Sequence, residues 1–339
     1  MQPPRTDALK NLLTDISGVR VGHAHDAAIA SGVTAIIFDS PAVASIDVRG
    51  GGPGTRDDAM LKPESTVEAI DALALSGGSA LGLDAAGGVQ AWLAEQGRGL
   101  RIREAVIPIV PGAICFDLLN GGNKAWGRFP PYRDLGYAAA CAASGDFALG
   151  SVGAGLGATT ANFKGGLGSA SAQTEGGVTV AALAVVNAVG SVTVGDGPWF
   201  WAAPFETADE FGGRGLPPAF TPDMLSARLK GGTAAASSEN TTLVVVVTDA
   251  VLTKAQAKRL AMIAHTGMAR AIYPVHATTD GDVVYAAATG KTPIDPRFGL
   301  TELGMVAANT VARAIARGVH SATALPFLGA LPAWGDRFG

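Results

Sequence analysis

The chain has 339 residues, of which 48% are hydrophobic and 16% charged, and it can bury either one large core or two ordinary ones. Its mean hydropathy of +0.28 would admit a membrane protein, but no run of 18 apolar residues is free of polar breaks, so no spanning helix is expected. The net charge of −4 is spread without a Lys/Arg block, which removes the electrostatic footprint of a nucleic-acid or anionic-lipid binder and leaves a small molecule or peptide as the expected partner.

The amino-terminal MQPPRTDALKNLL has no apolar core and no small-residue cleavage site, so a secretory leader is not expected and the cytoplasm is the default location. In VGHAHD (21–26) His23 and His25 form an HxH pair without a placed third ligand. A β-branched run at 34–38 (TAIIF) predicts a strand, and the apolar spacing of 65–75 (STVEAIDALAL) and 83–97 (LDAAGGVQAWLAEQG) predicts helices. Strands are predicted again at 105–110 (AVIPIV), 178–186 (VTVAALAVV), 191–194 (SVTV), 242–247 (TLVVVV) and 282–288 (DVVYAAA). Helical periodicity returns at 253–272 and 301–319. Near-continuous apolar strands imply sheets covered on both faces. A helix, sheet, sheet, helix sandwich satisfies this, with a doubly wound α/β fold as the competitor, because periodicity does not show how strands pair.

Cys115 and Cys141 are too few for a disulfide framework and lack metal spacing. His265, His276 and His320 are scattered and read as surface or satisfied core histidines, so neither a metal nor a cofactor is expected. Glycine clusters at 49–55, 76–88 and 152–168 mark close backbone approaches or left-handed turns. Within the last, GAGLGA (153–158) matches a dinucleotide fingerprint, with Glu175 further on, but GDFALGSV before it and ATTANFKGGLG after it do not read as strand and helix.

SSENTTLVVVV (237–247) carries the second candidate for chemistry. Asn240-Thr241-Thr242 is a glycosylation acceptor only in a secreted protein, and the junction also reads as an ordinary loop entering a strand. Its catalytic reading is a self-cleaving nucleophile. The Thr241 hydroxyl attacks the preceding carbonyl, and the new amino terminus then holds a hydroxyl and an α-amine of pKa about 7.7–8.0 on one residue. The run GGTAAASSEN (231–240) suits a flexible strap, and TLVVVV would pin the nucleophile to a sheet.

Taken together, DISGVRVGHAHD (15–26), VRGGGPGTRD (48–57), LSGGSALGLDAAGGV (75–89), GAGLGATTANFKGGLGSAS (153–171), AVVNAVGSV (184–192), SSENTTLVVVVTDA (237–250) and HATTDGDVVYAAATG (276–290) resemble, in order, the P1 peptidases, also called the DmpA or S58 family. That family includes L-aminopeptidase/D-esterases, β-peptidyl aminopeptidases and endo-type nylon-oligomer hydrolases. The resemblance implies one hydrolase domain over residues 1–339, built as a four-layer αββα sandwich of α/β (α+β) class. This is an N-terminal-nucleophile-type fold, shared with the ornithine acetyltransferases. Self-cleavage after Asn240 would divide the chain into an α subunit (1–240) and a β subunit (241–339). The family assigns Thr241 as nucleophile, Asn187 as oxyanion donor, Lys164 as a nearby cation, and Asp280 and Asp282 as carboxylates orienting the lysine and the nucleophile's amine. Phe116, in GAICFDLLNGG (112–122), stands in the substrate-binding region where a tyrosine is found in the family, so a hydroxyl is missing there. The implied activity is that of an aminopeptidase or amidase on short peptides, amino-acid amides or β- and ω-amino oligomers. Nylon-oligomer hydrolysis and acyl transfer of the ornithine-acetyltransferase kind are the alternatives. A homo-oligomer, a tetramer of αβ units, is implied as well.

Overall fold

The structure, a computed structural model, describes residues 9–231 and 240–339. Its strands are β1 (Val19–Asp26), β2 (Ser31–Val48), β3 (Thr55–Arg56), β4 (Ala69–Ser76), β5 (Leu100–Ile102), β6 (Ala105–Ile107), β7 (Gly112–Ile114), β8 (Gly166–Gln173), β9 (Thr179–Asn187), β10 (Thr241–Ala250) and β11 (Val283–Thr292). The α-helices are α1 (Ala85–Glu95), α2 (Tyr132–Cys141), α3 (Lys254–Ala269), α4 (Gly299–His320) and α5 (Trp334–Phe338).

Side chains of a strand alternate between its two faces, and that alternation builds the layers. In β10, Val244 and Val246 enter a core with Leu260 of α3 and Val311 of α4. Leu243, Val245 and Val247 enter a second core that also holds Ile36 and Phe38 of β2 and Leu73 and Leu75 of β4. On the far face of β2 and β4, Val33, Ala35, Ile37, Ala72 and Ala74 meet Val89 and Leu93 of α1 and Ala139 of α2. The order is therefore α3/α4, then β8 to β11, then β1/β2/β4, then α1/α2: the four-layer αββα sandwich.

Hydrogen bonding runs β3-β7-β4-β2-β11-β10-β9-β8, with β1 beside β2. The two sheet layers join through β2, whose first half pairs with β1 and whose residues 43–48 pair with β11. Its register against β4 shifts between Ile37 and Ala42, across exposed Asp39, Ser40 and Pro41; proline is tolerated at such an irregularity because no ladder donor is needed there. β10 lies between antiparallel β9 and parallel β11, and the pairs β1/β2, β2/β4, β2/β11 and β8/β9 are antiparallel as well, whereas a doubly wound sheet is mostly parallel.

Residues 83–97, 253–272 and 301–319 form helices as expected. α3 opens on a capping box, with Thr253 Oγ1 accepting from Gln256 N at 3.2 Å and Gln256 Oε1 accepting from Thr253 N at 2.8 Å. Three expectations fail. Residues 65–75 are not helical, because 69–76 form β4, held between β2 and β7. Residues 191–194 form only isolated bridges to Tyr273 and Phe200 and no strand. In 105–110 the strand stops at Ile107, before Pro108. Of the strap read at 231–240, residues 232–239 lie outside the described residues.

Candidate active site

Thr241 opens β10 and stands in register with Asn187, the last residue of β9. On its other side the turn before β11 runs alongside the chain, and Asn240 and Asp280 form a parallel bridge. The Asn240 carbonyl oxygen thereby receives two donors: Gly281 N–H at 3.0 Å and the Thr241 hydroxyl. Gly281 is required by space, since a Cβ there would lie 2.4 Å from Thr241 Oγ1. Thr241 is only 3% exposed.

The turn is held from two directions. Asp282 Oδ1 accepts from Thr242 N at 2.7 Å, and its Oδ2 accepts from His276 N at 3.2 Å and from His276 Nδ1 at 2.9 Å. The His276 ring lies edge-on to His265 at 5.0 Å, and His265 Nε2 meets the Asp47 carbonyl at 3.0 Å. The glycines of RGGG close the other side. Gly52 N donates to Asp280 O at 2.7 Å, and a Cβ on Gly50 would fall 2.3 Å from that same oxygen. Burial, then the neighbouring Asp282 charge and a hydrogen bond with its carboxyl, push Asp280 up to about 8. Two carboxyls this close cannot readily both ionise.

Asn187 is the second hub. Its Nδ2 donates to Phe116 O at 2.9 Å, and its Oδ1 accepts from Thr159 N (3.0 Å), Asn120 Nδ2 (3.2 Å) and Lys230 Nζ (2.8 Å). Lys164 Nζ donates to the carbonyls of Gly155 (3.0 Å), Ala158 (2.8 Å) and Gly165 (2.8 Å). Burial is the main force that lowers this amine to about 7. Its three acceptors match the three donors of an ammonium and oppose that shift. The Ala158 carbonyl held by Lys164 and the Thr159 N–H that reaches Asn187 belong to one peptide group, so the cation polarises a donor to Asn187. Beside this hub opens a cleft of about 490 Å³, lined by Asn120, Thr159 and Lys230 and by apolar Leu119, Phe327 and Leu328.

Of the residues singled out in the sequence, Asn240, Asn187, Asp280 and Asp282 converge on Thr241 directly or through the adjoining backbone. Phe116 joins through its carbonyl. Among the described residues no hydrogen bond links Lys164 to Thr241, Asp280 or Asp282, and its Nζ is bonded instead to the carbonyls of Gly155, Ala158 and Gly165. Gly281, His276, Asn120, Thr159 and Lys230 were missed. The glycine between two aspartates was the available signal for the first; contacts made only by folding carried the others. His265 and His276, read as scattered, are neighbours.

GAGLGA opens no helix. Gly153–Gly155 make a single 3-10 turn, and its glycines admit neighbouring backbone: a Cβ on Gly155 would lie 2.4 Å from Leu167 N, and one on Gly157 2.3 Å from Ala30 O. His23 bonds Thr34 Oγ1 at 3.0 Å and Ala148 O at 3.2 Å, and burial drives it down to about 4. Among the described residues no group of three His, Cys, Asp or Glu could hold a metal, and no helix is long and apolar enough to cross a membrane.

A family model described as peptidase family S58 matches residues 11–329. An uncharacterized aminopeptidase of Mycobacterium tuberculosis is 42% identical, over 97% of this chain and 98% of that protein. A 6-aminohexanoate-oligomer endohydrolase of Kocuria sp. is 28% identical over 91% of this chain and 83% of its own length. Among solved structures, the L-aminopeptidase D-Ala-esterase/amidase of Ochrobactrum anthropi, a variant of the Ntn hydrolase fold, superposes with a TM-score of 0.64 at 19% identity, covering 95% of this chain and 90% of that one.

Proposed function

This chain belongs to peptidase family S58 and is a hydrolase of the peptidase and amidase class, and from that premise we propose that it cuts its own chain after Asn240 and then uses Thr241 as an N-terminal nucleophile. The observation that carries the proposal is the Asn240 carbonyl, which meets the Thr241 hydroxyl and the Gly281 N–H together. In self-cleavage Thr241 Oγ1 bonds to the Asn240 carbonyl carbon and the Asn240–Thr241 C–N bond breaks, leaving an ester. The hydroxyl proton ends on the departing Thr241 nitrogen, a transfer assigned in this reading to the Asp280/Asp282 pair. Water then cleaves the ester, releasing the Asn240 carboxylate.

Turnover repeats the chemistry on a substrate. The freed α-amine of Thr241 accepts the hydroxyl proton as Oγ1 attacks the amide carbonyl, then delivers it to the leaving amine. Water hydrolyses the acyl ester. Gly281 N–H and Asn187 Nδ2 are the donors assigned to the oxyanion, and one such donor is worth about 10²–10³ in rate. Lys164 sharpens Asn187 through the Ala158–Thr159 peptide, and Phe116 positions it through its carbonyl.

Short peptides, amino-acid amides and β- or ω-amino oligomers are the candidate substrates. The last enter through the Kocuria relative. An added amine acceptor separates hydrolysis from acyl transfer, and native mass measurement tests assembly into a tetramer of cut units.

Intact mass of the wild type and of Thr241→Ala tests the proposal. Two fragments meeting at Asn240/Thr241 are expected from the first and one full-length chain from the second. A wild type that hydrolyses amides while uncut, or an alanine variant still cut after Asn240, rules it out.

A further inference from the structure

The aspartate pair beside Thr241 is not symmetric. Asp282 Oδ1 accepts from Thr242 N at 2.7 Å, and its Oδ2 accepts from His276 N at 3.2 Å and from His276 Nδ1 at 2.9 Å. For Asp280 the N–H donor is that of the adjoining Gly281, at 3.1 Å. Hydrogen bonds from N–H groups favour the charged form of a carboxyl, and these donors gather on Asp282. A pair that cannot readily hold two charges thereby leaves its proton to Asp280. The rise of Asp280 through burial and through Asp282 agrees with this placement, and Lys230 is a charge that opposes it.

Two of the three donors to Asp282 are backbone groups; the third, His276 Nδ1, belongs to a side chain. Facing a carboxylate, that nitrogen carries the hydrogen. The ring is steadied by His265, edge-on at 5.0 Å, whose own Nε2 meets the Asp47 carbonyl at 3.0 Å. Beyond it, the Asp47 carboxylate is paired with Arg49 at 2.8 Å and Lys258 at 2.6 Å. The His276 side chain is 21% exposed and that of Asp282 only 1%, so the imidazole is the outer end of a contact whose inner end is buried. We propose that His276 is a positioning residue for self-cleavage: its Nδ1–H fixes the Asp282 carboxylate against Thr242 N–H, which leaves the proton of the pair on Asp280, the residue whose backbone bridges Asn240 at the scissile bond.

The proton count then balances. Asp280 gives its proton to the Thr241 nitrogen as the Asn240–Thr241 C–N bond breaks. The pair takes back the proton that Thr241 Oγ1 releases on bonding to the Asn240 carbonyl carbon. His276 keeps its hydrogen throughout and acts only through Asp282. This inference rests on the assignment of Thr241 as the self-cleaving nucleophile.

The backbone at residue 276 is left-handed, with φ of 57°, a conformation that glycine and asparagine take readily. His276→Gly therefore removes the donor without straining the chain, and His276→Asn returns an amide N–H where the imidazole Nδ1 stood. Both keep the backbone N–H that also meets Asp282. Self-cleavage of the newly made full-length chain is followed in cell-free synthesis on a denaturing gel, with thermal melts as the check on folding. His276→Gly should slow the cut by about 10²-fold, as for a reacting group displaced by about 1 Å, and His276→Asn should run close to the wild-type rate. Imidazole added to purified, uncut His276→Gly should speed its cutting saturably. Thiazole, a ring of the same shape without an N–H, should not, and a merely structural role for His276 would not separate the two.

A glycine variant cut at the wild-type rate, an asparagine variant as slow as glycine, or imidazole acting no better than thiazole overturns the inference and leaves Thr241 in place. A wild type that cuts neither itself nor any amide overturns both. If His276→Gly does not fold, His276→Gln takes its place beside asparagine, since it fills the space with its donor one bond further out. Wild-type cutting by the glutamine variant then overturns the inference, and slow cutting beside a fast asparagine variant supports it.

Discussion

Burial, then the charge and hydrogen bond of Asp282, raise Asp280 well above the usual carboxylate range, to about 8. An unfolded aspartate releases its proton near about 3.9, so between those values the folded state binds more protons than the unfolded one. Stability from this group is full below about pH 4 and is lost as pH rises towards 8. Asp280→Asn keeps the neutral shape without the titration. Thermal melts of the uncut Thr241→Ala background from about pH 4 to 8 should therefore fall more steeply than those of the same background carrying Asp280→Asn; parallel slopes would show that Asp280 is ionised throughout. At this scale the proposed site was legible in the sequence wherever it is built from side chains. Thr241, Asn187 and the two aspartates could be named because a hydroxyl, an amide and carboxylates have letters. Gly281 contributes a backbone N–H, which no letter records. Lys164 was named, but its partners are three carbonyls of a glycine-rich loop that only the fold brings round it.

Elements were legible where one periodicity prevailed. TLVVVV reads as a strand buried on both faces and is one, because its two faces enter two separate cores. STVEAIDALAL satisfies helical spacing on paper, yet Ile70, Leu73 and Leu75 face the inter-sheet core while Ala72 and Ala74 face α1 and α2. Pairing with β2 and β7 outweighed a weak intrinsic preference. β8, GLGSASAQ, gave no signal because its residues are small; Gly168 is small so that α4 can approach, a Cβ there falling 1.9 Å from the Ala314 carbonyl. The RGGG cluster was flagged as a close approach, and its glycines differ in a testable way. A Cβ on Gly50 meets Asp280 O at 2.3 Å and Asp282 N at 2.4 Å, both backbone, whereas on Gly52 the nearest atom is 3.7 Å away. Gly50→Ala should cost about 1–3 kcal/mol and slow self-cleavage by displacing the turn that carries Gly281. Gly52→Ala should melt and process like wild type. Equal behaviour of the two variants would mean that the turn is not held by this contact.

At the scale of the whole molecule the proposed cut falls at the head of a strand buried at all but one of its ten residues. β10 and β11 come from residues after the cut, yet β9 on one side and β2 on the other come from residues before it. Eight register pairs join β10 to β9 and six join β11 to β2. The core against α3 and α4 mixes Val180, Ala182, Ala184 and Val186 with Val244, Val246, Leu260 and Val311. Pulling the fragments apart would expose that core and the inter-sheet core together, and each fully buried Val or Leu is worth about 1.5–3 kcal/mol. Cleaving one peptide bond removes none of these contacts. The fragments should therefore stay together after processing, eluting in native size exclusion at 34.0 kDa or a multiple of it while running as two bands on a denaturing gel. Separation should need denaturant and should coincide with loss of amidase activity. Fragments that part in dilute buffer would show that the mixed cores do not bind them. They would also remove the reason for placing the nucleophile at the head of a strand held on both sides by its neighbours.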